Sequence, residues 1–91
     1  MILCKVLGNV TATIKHPGYR GKKVMMVQPV SVEDLSPIGA SFLAVDTVEA
    51  GPGEIVLVNK EGGSSLIAVR EERVPIHSTI TGIIDTINVK R

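Results

Sequence analysis

From Ile2 to Ile14 every second residue is apolar or small: Ile2, Cys4, Val6, Gly8, Val10, Ala12 and Ile14. A period of two is the signature of a strand that turns one face inward. Gly8, in the middle of the series, marks a sharp bend or a close approach of backbone, as a small barrel requires where a strand turns a corner. The opposite face reads Leu3, Lys5, Leu7, Asn9, Thr11 and Thr13. Its first half is apolar too, so Leu3 and Leu7 need a cover.

Later segments carry apolar residues on both faces. After the loop His16-Pro17-Gly18-Tyr19-Arg20-Gly21, a second strand is predicted from about Lys23 to Val30, with Val24 and Met26 on one side and Met25 and Val27 on the other. That is the pattern of a strand buried on both sides. A loop with Glu33, Asp34, Ser36, Pro37 and Gly39 leads to a third strand, Ser41 to Val48, again apolar on both faces through Phe42, Leu43, Ala44 and Val45. The turn Ala50-Gly51-Pro52-Gly53 reverses the chain into Ile55-Val56-Leu57-Val58. A turn at Glu61-Gly62-Gly63 precedes a predicted short helix, capped by Ser64 or Ser65 and ending near Arg70, with Pro75 beyond it. A last strand, about Ser78 to Val89, carries Ile80, Ile83, Ile84, Ile87 and Val89. The expected fold is all-β: a small five-stranded OB-like Greek-key barrel with one short helix, a single domain over residues 1–91, with a β-sandwich or an open sheet as the alternatives.

Composition supports this reading. Aromatic residues make up only 2% of the chain against 44% hydrophobic residues, so Val, Ile and Leu must build the core, and the first two favour strands. A chain of 91 residues buries only about 60 to 65% of its unfolded surface. Several strands apolar on both faces exceed that capacity, and oligomerisation is the economical way to cover the remainder. A formal net charge of +1 argues against a strongly basic nucleic-acid binder, and the ordinary apolar content argues against a disordered chain. The single cysteine, Cys4, reads as a small buried hydrophobe, and no disulfide framework exists. The N-terminus lacks the pattern of a signal peptide, and no apolar run reaches the roughly 20 residues of a membrane helix. A cytoplasmic protein without membrane partners is the expectation.

Candidate chemistry is sparse. His16 and His77 lie in separate loops without further ligands, so no metal site is predicted. Asp46 and Asp85 are carboxylates within apolar strands, read as acceptors for backbone N–H groups or for a neighbouring subunit. Gly51-Pro52-Gly53 lacks the Gly-Lys-Ser/Thr ending of a phosphate loop, and Gly63-Ser64-Ser65 reads as a turn with an N-cap. No catalytic residue, cofactor or enzyme activity is expected. An OB-type nucleic-acid-binding module is the alternative, but it needs a basic groove and stacking aromatics, and only Tyr19 and Phe42 are present. An enzyme accessory subunit is a more distant possibility.

The ordered motifs add a resemblance. Ile2-Leu3-Cys4-Lys5-Val6-Leu7-Gly8-Asn9-Val10 is followed by Lys15-His16-Pro17, Arg20-Gly21-Lys22-Lys23 and a Met-Val-Gln strand. The most specific stretch runs from Ala44-Val45-Asp46-Thr47-Val48-Glu49-Ala50 through Gly51-Pro52-Gly53-Glu54-Ile55-Val56-Leu57-Val58, followed by Gly63-Ser64-Ser65, Pro75 and Ile83-Ile84-Asp85. In this order and spacing the chain resembles the EutN/CcmL family of bacterial microcompartment vertex proteins over nearly its whole length. The chain departs from the family pattern at Leu66-Ile67, where Ala-Arg is common, and at Ile76-His77, where Val-Asp is frequent.

The resemblance implies a structural subunit of pentamers that occupy the corners of a polyhedral shell, in a carboxysome or a catabolic metabolosome within the cytoplasm. The implied partners are four further copies and the hexameric shell proteins, since hexagonal tiles alone cannot close. A cyclic ring joins two unlike patches of each subunit. Candidate structural or interface residues are Asp46, Ala50, Gly51, Gly53, Glu54, Gly63, Ser64, Ser65 and Asp85. The strands around Val24 to Val27 and Ile55 to Val58 are the expected places of subunit contact.

Overall fold

Strand β1, Ile2–Val10, is the spine of the molecule and hydrogen-bonds to two neighbours. The computed structural model describes residues 1–11, 13–14, 22–60, 65–69 and 72–85. On one side β1 pairs antiparallel with β3, Lys23–Pro29; on the other, its first half pairs antiparallel with β5, Ile55–Asn59. Strand β3 continues antiparallel to β4, Phe42–Asp46. Strand β8, Thr79–Ile84, lies between β4, to which it is parallel, and β5, to which it is antiparallel. The order β1-β3-β4-β8-β5 closes on itself, so the expected five-stranded OB-like barrel is the observed one. Closure leaves the barrel without an edge strand.

Outside the barrel, β2 (Thr13–Ile14), β6 (Ser65–Val69) and β7 (Glu72–Ile76) form a second, three-stranded sheet in the order β2-β6-β7. Here the structure corrects the predicted helix. Residues 65–69 are extended and pair antiparallel with β7, from Ser65 opposite Ile76 to Val69 opposite Glu72. A helix of one or two turns carries the full cost of nucleation for few hydrogen bonds. The β-branched Ile67 and Val69 find a better place in a hairpin. Pro75 falls inside β7, on the edge of this sheet, where a missing N–H is tolerated.

The barrel interior is Cys4 and Val6 from β1, Met25 and Val27 from β3, Ala44 from β4, Val56 and Val58 from β5, and Ile80 from β8, with Ala50 sealing one end. These are the inward members of the alternating series. Burial pushes the Cys4 thiol up to about 11, with the positive charge of Lys60 opposing this only in part, and the side chain serves as packing. Lys60 also places its Nζ 4.3 Å from the centre of the Phe42 ring.

The bend predicted at Gly8 is a β-bulge. Val6 lies opposite Val27 and Gly8 opposite Met26, so Leu7 is the extra residue on β1. The bulge reverses which face the alternation addresses. Beyond it Val10 stands opposite Val24, which lies outside the barrel-interior cluster, so the period-two series does not keep one side along its length. The predicted first strand therefore divides: β1 ends at Val10, and Thr13–Ile14 belongs to the other sheet. The last strand is seen from Thr79 to Ile84, and the predicted Ile87 and Val89 lie outside the described residues.

Candidate functional site

Five of the predicted structural residues converge in the connection between β4 and β5. Asp46, the last residue of β4, is buried, and its Oδ1 accepts the backbone N–H of Val48 at 3.0 Å. Its Oδ2 is buried and has no hydrogen-bond partner among the described residues. Beside it, the Thr47 hydroxyl donates to the Ile80 carbonyl at 2.7 Å and ties the connection to β8. Glu49 follows with φ 58°, a left-handed conformation that turns the chain so that Ala50 enters the core.

The Gly51-Pro52-Gly53-Glu54 turn then clasps β1. The Glu54 carboxylate accepts the N–H of Gly51, while Gly53 N–H donates to the Val6 carbonyl at 2.8 Å and Val6 N–H donates to the Glu54 carbonyl at 2.9 Å. Gly53 sits at φ 87°, which a side chain resists. These hydrogen bonds lock the turn against β1 one residue before the bulge. Asp46, Ala50, Gly51, Gly53 and Glu54 are thus brought together in one connection, whose turn is hydrogen-bonded to β1.

The other predicted positions are separate. Ser65 opens β6 instead of capping a helix, and Gly63 and Ser64 lie outside the described residues. Asp85 is exposed just beyond the end of β8, not inside an apolar strand as its sequence neighbours implied. His77 is exposed between β7 and β8, and His16 and Tyr19 lie outside the described residues. Among the described residues no three His, Cys, Asp or Glu side chains gather as a metal site would require.

The barrel's outer wall carries the surface predicted from the two-faced strands. Leu3 and Lys5 of β1 lie opposite Leu57 and Ile55 of β5, and Ile55 lies opposite Ile84 of β8. On the other flank Met26 of β3 stands opposite Leu43 of β4. These apolar side chains are half-buried, and Leu7, lifted out of the ladder by the bulge, is 52% exposed. A closed barrel that leaves this much of its outer wall apolar has a surface suited to packing against a neighbour.

Sequence reasoning missed one further surface, the β3–β4 loop. Val32 is 56%, Leu35 41% and Ile38 51% exposed. The loop is nevertheless tightly organised. Ser31 N–H donates to Ser36 O, Leu35 N–H to Ser31 O and Ile38 N–H to Pro29 O, at 2.8, 2.9 and 2.9 Å. The Gln28 amide donates to the carbonyls of Pro29 and Gly39 at 3.0 and 3.1 Å. Asp34 accepts from both the hydroxyl and the N–H of Ser36, and these hydrogen bonds hold its carboxyl below the ordinary carboxylate value. The available signal was the recurrence of apolar residues in a segment whose Asp, Ser, Pro and Gly content otherwise spells an exposed turn.

A closed Greek-key barrel with a largely apolar outer wall and an appended three-stranded sheet defines a small assembling β-protein. The sequence profile described as ethanolamine utilisation protein EutN/carboxysome matches residues 1–85. The bacterial microcompartment shell vertex protein GrpN of Rhodospirillum rubrum is 38% identical over 87 residues, spanning 96% of this chain and 96% of that protein. The carboxysome shell vertex protein CcmL of a Synechocystis species is 41% identical over 93 residues, 98% of this chain and 87% of its own length. The structure of GrpN from Rhodospirillum rubrum, described as a pentameric microcompartment shell protein, superposes with a TM-score of 0.75 at 35% identity, covering all of both chains (100% and 100%). This chain belongs to the EutN/CcmL family. Its relatives are structural shell proteins and not enzymes, and they give no support to the nucleic-acid-binding alternative.

Proposed function

We infer that this protein is a structural subunit that forms pentameric vertices and closes the polyhedral shell of a bacterial microcompartment in the cytoplasm. The observation that carries the reading is the outer wall of the barrel: with no strand edge to offer, it presents Leu3, Ile55, Leu57 and Ile84 half-buried in one contiguous cross-strand patch. The full-length likeness to the pentameric GrpN structure supplies the number five. Around such a ring, hexameric shell proteins are the partners that the geometry of a closed polyhedron requires, because a flat hexagonal layer gains curvature only where five-fold units replace six-fold ones.

Ring closure sets a condition on the subunit. Cyclic symmetry makes each contact heterologous, so every chain must offer two unlike surfaces. Native mass spectrometry of the full chain tests the reading: a mass of five subunits is expected at micromolar concentration, and a stable monomer there would overturn it. Co-expression with a hexameric shell protein tests the second half. Closed particles are expected with this chain present and open sheets or tubes without it.

A further inference from the structure

The seams of the closed barrel are unequal. Strand β1 pairs with β3 from Cys4 opposite Pro29 to Val10 opposite Val24, and with β5 from Ile2 opposite Val58 to Lys5 opposite Ile55. Strand β3 pairs with β4 along the whole of β4, and β5 pairs with β8 from Ile55 opposite Ile84 to Asn59 opposite Thr79. The seam between β4 and β8 holds only Val45 opposite Thr79 and Asp46 opposite Ile80. It is also the parallel one, the less stable arrangement per residue. A bulge explains why it stops there. Ile80 lies opposite Val58 and Gly82 opposite Leu57, so Thr81 is an extra residue on β8. A bulge bends its strand and can end a ladder, and the pairing of β8 with β4 ends at Ile80.

Two bonds tie this short seam: Val45 N–H donates to the Ser78 carbonyl at 3.0 Å, and the Thr47 hydroxyl donates to the Ile80 carbonyl at 2.7 Å. Asp46 works against them. Its Oδ2 is buried in the seam with no hydrogen-bond partner among the described residues, a cost that is relieved once water reaches it. Across the ring of strands from this seam stands β1, with β3 between them on one side and β5 on the other. Its Cys4 is fully buried in the cluster that also holds Ala44 of β4 and Ile80 of β8. We propose that the β4–β8 seam is a gate in the barrel wall, latched by Thr47, which opens in the folded protein while the other seams stay paired and so admits small solutes to Cys4. Local opening of this kind follows where few hydrogen bonds hold an element in place. The gate belongs to the single barrel and does not rest on the pentameric reading above.

The chain carries its own reporter. Cys4 is its single cysteine, and burial pushes the thiol up to about 11, so an aromatic disulfide reagent reaches it only through an opening of the barrel. The full chain, at fixed protomer concentration, is mixed with excess reagent over a range of urea. Modification without urea is expected, with a shallow urea dependence because the gate exposes little surface, turning steep only near global unfolding. Thr47→Val keeps the shape and loses the latch, and should speed modification without urea roughly fivefold, the effect of one lost hydrogen bond. Gly53→Ala, strained at φ 87° in the turn clasped to β1, lowers global stability and should leave that rate unchanged. Amide exchange of the wild-type chain is a second measurement: Val45 N–H, at the gate, is expected to exchange well ahead of Val6 N–H, which donates to the Glu54 carbonyl. The proposal is overturned if modification keeps the steep urea dependence of global unfolding at the lowest urea, or if the two variants speed it equally. It is also overturned if Val45 N–H exchanges no faster than Val6 N–H.

Discussion

The two long connections flanking β4 use the same local devices and arrive at opposite ends. In the β3–β4 loop, Asp34 accepts the N–H of Ser36 two residues on, Leu35 takes φ 60° and Gly39 takes φ 70°. In the β4–β5 connection, Asp46 accepts the N–H of Val48 two residues on, Glu49 takes φ 58° and Gly53 takes φ 87°. Each therefore has a carboxylate closing a tight turn, one left-handed residue with a side chain and one left-handed glycine. Yet Asp46 and Ala50 are buried and their connection is bonded to β1, while Asp34 is exposed and its loop is bonded largely to itself and to its own stem. Local turn chemistry sets the shape of a loop. What the loop does depends on whether a neighbouring element is present to receive its side chains.

The difference can be broken most forcefully at Ala50. Enlarging it by Ala50→Leu overfills the end of the barrel and should cost about 3 kcal/mol, read as a lower urea midpoint at fixed protomer concentration. Next, Asp46→Ala removes the acceptor of the Val48 N–H and should cost about 2 kcal/mol. Gly53→Ala meets open space but must hold φ 87°, and a loss of about 1 kcal/mol is expected. Smallest of all, Asp34→Ala in the exposed loop should leave the urea midpoint nearly unchanged. If Asp34→Ala cost as much as Asp46→Ala, the distinction between a packed and an exposed loop would fail.

The pH dependence of Asp34 sharpens the same contrast. Hydrogen bonds from the Ser36 side chain and backbone lower its folded value below the ordinary 3.8. What they contribute is therefore present above pH 3.8 and lost as the pH falls through the lower folded value. A carboxyl titration followed by NMR should show the Asp34 midpoint below 3.8, and a midpoint at or above it would deny the loop its staple.

Much of the barrel was legible residue by residue. The alternation of Cys4 and Val6, the two-sided Val24-Met25-Met26-Val27 and the Gly51-Pro52-Gly53 reversal lead directly to β1, β3 and the turn into β5. The helix predicted after Ser65 failed because a five-residue apolar segment carries no period long enough to separate helix from strand, and its hairpin partner decided the matter. The face switch at Leu7 was hidden for a related reason. A bulge is defined by the register of the opposing strand, and β3 passes from Val27 to Met26 while β1 passes from Val6 to Gly8.

Chain composition and alternation alone determined that this would be an all-β protein with more apolar strand surface than one copy can bury, since both follow from local periodicity and from surface-to-volume scaling. Its ordered motifs carried the family. Only the tertiary structure decided which apolar residues are the surplus. Val56 and Leu57 look alike in sequence, but closure of β1, β3, β4, β8 and β5 turns Val56 into the core and leaves Leu57 on the outer wall. Which face is inside is a property of the closed barrel and of no single strand. The bulge at Leu7 and the left-handed turn at Leu35 lie in the segments whose apolar side chains stay exposed.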